Sequence, residues 1–169
     1  MGIRFTFDAG KAVEVLLYIA GQQPDMYAAL KILYFADRQH LARYGRFICG
    51  DSYIAMDKGP VPSGAYDLVK FVRGNGWCAP SVSVKEAFAV QGYSIIPLRK
   101  PNLDLLSESD IECLDEAIRT YGNWPFGKLK RESHDKAYLA ADANSVISVE
   151  AIARTLPDGE LLIEHLTDD

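Results

Sequence analysis

The stretch from Asp25 to Tyr44 constrains this chain more than any other, because it places a carboxylate on the apolar side of a helix that has hardly any polar side. Advancing about 100° per residue from Leu30 puts Met26, Leu33, Tyr34 and Leu41 in one sector, with Asp37 in its middle and His40 at its edge. Ile32 and Phe35 occupy much of the opposite side. A helix apolar on two sides is a central one, covered by its neighbours. Asp37 is therefore expected to face the interior, where a carboxylate without a partner is costly or takes up a proton. It needs donors. The candidates are backbone N–H groups near Gly50-Asp51 or Gly59, the hydroxyl of Tyr53 or Tyr66, or a histidine. Two readings follow. Asp37 is a general acid or base in a small hydrolase with His40 or His134, or it is a polar clasp that holds the irregular segment 45–62 onto the helix. One carboxylate and one imidazole are a sparse catalytic set, so the clasp is the preferred reading and the chain is not expected to be an enzyme.

Around this helix the pattern predicts a mostly helical α+β fold with a small antiparallel sheet or hairpin. Asp8 is placed to cap a helix over 9–21, with Val13, Leu16, Leu17 and Ala20 at helical spacing, and Gly21 and Pro24 close it. Gly45 is the C-terminal stop of the second helix. Tyr53–Met56 is a candidate short strand, and Gly59-Pro60-Val61-Pro62 is a stiff, extended turn because each proline fixes its own φ and restricts the residue before it. Ser63 is expected to cap a third helix over 64–73, with Tyr66, Val69 and Phe71 among its apolar positions. Residues 88–90 and 93–96 form a hairpin about Gln91-Gly92. Ser107 and Asp110 make a capping box for a helix ending near Gly122. Ser133 and Ser148 are expected to cap short helices over 134–141 and 149–156, and 157–169 is a tail with a last helical turn or two. No strand–helix alternation and no Gly-rich phosphate loop supports a parallel-sheet nucleotide fold. One domain over 1–156 accounts for the rest of the 169 residues.

Composition narrows the partners. Hydrophobic residues make up 49% of the chain and the net charge is only -5, which excludes intrinsic disorder. The apolar run Val15–Ala20 is too short for a membrane span, and its flanks lack a signal peptide. Cys49, Cys78 and Cys113 form no C-x-x-C pair, and the three histidines are scattered, so neither a metal site nor any other cofactor is expected, and the chain reads as cytoplasmic. A pI near 5.2 argues against broad nucleic-acid binding and fits a basic protein partner slightly better. Lys128, Lys130 and Arg131 are a basic cluster, read first as solvated surface and second as a contact. Phe47, Trp77, Trp124 and Phe126 sit beside Gly or Pro, or in loops, where interface anchors and loop plugs look alike.

An ordered series of residues then carries a resemblance. Lys31-Ile32-Leu33-Tyr34-Phe35-Ala36-Asp37, His40 and Tyr44-Gly45-Arg46 are followed by Gly50-Asp51, Tyr53, Ala55, Gly59-Pro60-Val61-Pro62, Tyr66, Leu106-Ser107, Asp110 and Ser133-His134. Together they resemble the Panacea (SocA-like) antitoxin domain, over about Phe5 to Ala153. The family commonly has an aromatic, often tryptophan, shortly after the Ser-His, and Tyr138 takes that place here. The resemblance implies an antitoxin of a bacterial or phage toxin–antitoxin pair, acting through a protein complex without chemistry. It implies a cognate toxin as partner, neutralised by direct binding or delivered by the antitoxin to a protease. Homo- and hetero-oligomers are both open to such a chain. With the clasp reading it makes Lys31, Asp37, His40, Asp51, Tyr53, Tyr66 and His134 an internal polar network. The candidate partner-binding residues are Arg46, Phe47, Gly59, Pro60, Val61 and Pro62, because loops on a rigid scaffold often carry binding.

Overall fold

In the computed structural model, which describes residues 2–76 and 83–168, two helices occupy the centre. Helix α1 (Ala9–Ala20) is capped by Asp8, whose carboxylate accepts the Lys11 N–H at 3.0 Å. Helix α2 (Met26–Tyr44) is capped by Asp25, which accepts the Ala28 N–H at 2.9 Å. It ends at Gly45 with φ 77°, a left-handed turn that a glycine adopts without a Cβ penalty. Every residue from Ala28 to Asp37 is buried, which is the central position that a helix apolar on two sides requires.

The chain then reverses into a hairpin. Strands β1 (Tyr53–Met56) and β2 (Gly59–Pro62) pair antiparallel about the turn Asp57-Lys58, with Tyr53 opposite Pro62 and Met56 opposite Gly59. Gly59–Pro62, expected as an extended turn, is thus a strand. Its prolines are tolerated because β2 is an edge strand and they alternate. Ser63 N–H donates to Ser52 C=O at 2.8 Å, so donors of that parity face β1 and the positions of Pro60 and Pro62 face away.

Helix α3 (Ser63–Arg73) corrects a second expectation. Ser63 does not cap it. The Asp51 carboxylate does so from upstream, accepting the Gly64 and Ala65 N–H groups at 2.8 and 2.9 Å. A short α4 (Val84–Ala87) leads into the expected hairpin, β3 (Phe88–Gln91) and β4 (Ser94–Pro97), where Pro97 pairs with Phe88. Trp77 and Cys78 lie outside the described residues. After a 3-10 turn at Leu103–Leu105, α5 (Glu108–Tyr121) begins with the full Ser107–Asp110 capping box and packs along α2.

Beyond α5 the expectations need correcting. Residues 126–133 form α6 (Phe126–Ser133), in which Leu129 and Ser133 alone are buried. Its inward face is Phe126, Leu129 and Ser133, of which two are apolar, too short a stripe to mark a helix in the sequence. Ser133 therefore ends α6, and α7 (Lys136–Ala140) is capped by Asp135, which accepts the Tyr138 N–H at 3.0 Å. Strand β5 (Val146–Ile147) adds to the free edge of β1 and gives the order β2-β1-β5. Helix α8 (Val149–Ala153) has the expected Ser148 cap but stops short of residue 156. In the tail, α9 (Gly159–Thr167) packs on α8. Nine helices and two small antiparallel sheets among the described residues make the fold α+β and mostly helical. No helix among those residues is long and apolar enough to cross a membrane.

Candidate functional site

Asp37 is fully enclosed. Its two oxygens take the Ile48 N–H at 2.7 Å and the Tyr53 hydroxyl at 2.5 Å. Both donors come from the segment that follows α2, one from the loop after Gly45 and one from the first residue of β1. Tyr53 is itself held by Tyr34 on α2 and by Phe47, with ring centroids 5.0 and 5.5 Å away. The carboxyl thus ties the returning chain to the helix that carries it. Burial pushes its pKa up to about 7, against the pull of the Tyr53 and Ile48 hydrogen bonds. Burial also drives the Tyr53 hydroxyl well above the ordinary range, with the Asp37 carboxyl adding to it.

This shift sets a pH dependence. The folded state keeps a proton on Asp37 that the unfolded chain, with a value near 3.8, has released. The contribution of this group to stability is therefore full below about pH 4, falls as pH rises from about 4 to 7, and is level above that. Asp37→Asn cannot titrate. On lowering pH from 7 to 4, wild type is expected to gain on this variant by a few kcal/mol, at about 1.4 kcal/mol per pH unit. Urea denaturation of both proteins across that range measures the difference, and groups titrating in both cancel.

A second station joins α2, α1 and α5. Buried His40 lies one turn after Asp37 but turns elsewhere: Nδ1 meets the Arg46 carbonyl and Nε2 meets Ser109 Oγ, each at 2.9 Å. Burial lowers its pKa. Beside it, fully buried Asp110 pairs with Lys11 at 2.7 Å and with Arg46 at 3.3 Å, and accepts the Ser107 N–H at 2.8 Å. Burial raises the Asp110 pKa, but Lys11 and the two Ser107 donors outweigh it and the net value is lowered.

A third station lies on the hairpin. Lys31, only 2% exposed, donates from Nζ to the Pro60 carbonyl at 3.2 Å. That carbonyl lies on the outer edge of β2, where no strand reaches it. The lysine supplies the missing hydrogen bond. Gly59 makes room for it. At φ 121°, a Cβ here would stand 2.7 Å from Ser133 Oγ and 3.0 Å from Lys31 Nζ, so this position excludes a side chain on both conformational and steric grounds. Tyr66 does not reach Asp37; it stands against Tyr27. His134 stacks on the Tyr138 ring at 4.3 Å, and its pKa is lowered by burial and then by Lys130.

The seven network residues thus divide among separate stations. Asp37 joins Tyr53, His40 joins Asp110, Asp51 caps α3, Lys31 reaches β2, and Tyr66 and His134 stand apart from Asp37. No carboxylate–imidazole pair forms at Asp37 among the described residues. A cleft of about 550 Å³ runs between the N-terminal segment and β5, backed by Asp51 and Tyr53, and Asp37 is not among its walls. Of the partner-binding candidates, Gly59–Pro62 are all buried in β2, and Phe47 is buried against Phe5 and Tyr53. Arg46 keeps 41% of its side chain exposed, while its guanidinium also reaches the Phe47 and Ile48 carbonyls at 3.3 Å. What the hairpin leaves at the surface is its turn, Asp57-Lys58.

The sequence passed over several of these contacts. Asp110 was legible as a cap, but its pairing with Lys11 joins residues far apart in the chain. The Tyr34 hydroxyl donates to Asp135 at 2.6 Å. Glu14, buried on α1, receives Arg99 at 2.7 Å and the Asn102 N–H at 2.8 Å. Here a signal did exist, because Glu14 is a carboxylate in an apolar helix just as Asp37 is.

Comparison with known proteins gives one finding. The family model described as Antitoxin SocA-like, Panacea domain, matches residues 30–138, from the second turn of α2 to Tyr138 in α7. No curated protein and no solved structure matches the chain.

Proposed function

This chain belongs to the SocA-like Panacea antitoxin domain family, and we propose that it neutralises a cognate toxin by binding it directly. The family supports an antitoxin role, and the match over more than half of the chain is the observation that carries the reading. The geometry supports its non-catalytic form. The acids that the motif contributes, Asp37, Asp51 and Asp110, spend their oxygens on internal partners and are each less than 5% exposed. A scaffold fixed in this way offers a rigid surface, which reduces the ordering cost of association. A pair of this kind typically buries about 1,600 Å².

The test is co-expression with the toxin encoded next to this chain. Rescue of growth and co-purification of the two proteins are expected, in a protease-deficient strain as well as in the parent. Rescue that disappears in the protease-deficient strain while binding persists identifies delivery to a protease instead. Absence of both rescue and binding with every neighbouring reading frame contradicts the proposal.

A further inference from the structure

Beside the Asp57-Lys58 turn lies a cavity of about 270 Å³ whose walls include Tyr27, Lys31, Met56, Lys58, Val61 and Tyr66. Its chemistry is unlike the rest of an acidic chain. Lys31, almost wholly buried, uses one of its three N–H donors on Pro60. Among the described residues no carboxylate forms an ion pair with it, and the buried acids Glu14, Asp37, Asp51 and Asp110 take their donors elsewhere. Lys58 and Lys130 add positive charge close by, enough that both oppose the charging of Lys31 after burial itself has done so. The Lys58 ammonium sits 4.5 Å from the centre of the Tyr27 ring, at the exposed rim. The one acid on the rim, Asp57, is exposed and makes no ion pair among the described residues. Other walls are aromatic rings, a thioether and a valine.

From this juxtaposition we propose that the cavity receives a carboxylate side chain of the toxin, with its methylene stem between Tyr27, Met56 and Tyr66 and its oxygens on Lys31 and Lys58. The volume admits one side chain. Ammonium groups recognise a carboxylate by charge, and the apolar walls exclude water from the pair, which strengthens it. Aromatic and methionine walls are the surfaces on which protein interfaces concentrate their affinity. The position agrees with the hairpin: the buried Gly59–Pro62 strand serves as the frame that holds Lys31 under the pocket, and the turn beside it makes the contact. The inference rests on the direct-binding reading above and names the part of the partner that this site takes.

The experiment is isothermal titration of the full chain with the toxin encoded beside it. Lys31→Met keeps the stem and removes the ammonium. Lys58→Ala trims an exposed side chain and carries the test should Lys31→Met fold poorly, and circular dichroism and thermal melting report folding in each case. Each variant is expected to bind at least tenfold more weakly than wild type, with a weaker salt dependence, while Lys100→Ala, exposed and outside the pocket, stays within twofold. When the toxin's surface carboxylates are replaced singly by their amides, one of them is expected to give a pair with the lysine variant that binds no worse than either change alone. Wild-type affinity in a folded Lys31→Met and in Lys58→Ala overturns the inference and leaves the antitoxin reading standing. So do losses that multiply for every toxin carboxylate. If wild type itself does not bind the toxin, the direct-binding reading fails and this inference fails with it.

Discussion

Asp37→Ala is expected to lower the unfolding free energy by about 3–5 kcal/mol, since two buried donors lose their acceptor at about 1–3 kcal/mol each and a small void is left. The loss has three parts. The Tyr53 hydroxyl and the Ile48 N–H are both left without an acceptor in a site that water does not reach. A void opens where the carboxyl stood. The loop and β1 lose their tie to α2, and β1 is the strand on which both β2 and β5 pair. Against a typical domain stability of about 5–15 kcal/mol this change is near the limit of folding. Asp37→Asn keeps the shape and one acceptor, so its cost is expected at about 1–3 kcal/mol at pH 7, and the folded variant is expected to neutralise the toxin as wild type does. Denaturant midpoints and growth rescue measure the two halves. A stable Asp37→Ala protein contradicts the clasp. Loss of protection in a folded Asp37→Asn protein contradicts the non-catalytic reading.

Asp110→Ala is expected to cost a similar amount, about 3–5 kcal/mol, for a different reason. The side chain is at once the capping-box residue of α5 and the acceptor for Lys11 and Arg46. Its removal takes away the reciprocal half of the capping box, the acceptor of the Ser107 N–H, while Ser107 still caps α5. It also strands the Lys11 ammonium, whose side chain is 15% exposed, beside buried His40. Asp110→Asn retains part of the cap and loses the ion pairs, so it is expected to fall between. The pH behaviour has the sign opposite to that of Asp37. The Asp110 value is lowered in the folded state. Its contribution is therefore full above the unfolded value of about 3.8 and is lost as pH falls through and below it. Acid unfolding of wild type below about pH 4 is expected to be blunted in Asp110→Asn. Equilibrium denaturation at pH 3 and pH 7 checks both the size and the sign.

How far the sequence foretold this molecule depended on whether the partners were near in the chain. Helices α1, α2 and α5 were legible because cap, apolar stripe and stop are all local. Asp8, Asp25 and Ser107 open them, and Gly21, Gly45 and Gly122 follow their ends. The interior place of Asp37 was legible for the same reason, since the helical period alone puts it among Met26, Leu33 and Tyr34. Tyr53 could be named as one of several donors, but the Ile48 amide could not, because its approach is fixed by how the chain turns after Gly45. Ser63 and Ser133 stand where a local cap would, yet other side chains took those roles: Asp51 reaches α3 from upstream, and Asp135 caps α7 while Ser133 is enclosed at the end of α6. The prolines of β2 read locally as a turn. Their strand is completed by β1 on one side and by the Lys31 ammonium on the other. The cavity at the hairpin turn is assembled from α2, the hairpin and α3, with Asn144 from the loop before β5, and no local pattern joins those segments.

The most direct measurement of the central claim uses purified components without a protease. The toxin encoded beside this chain is assayed for its own activity while the full chain is titrated in. Direct neutralisation predicts that toxin activity falls to background at a fixed stoichiometric ratio, with both proteins intact and eluting as one complex. Toxin that stays fully active under saturating chain contradicts it.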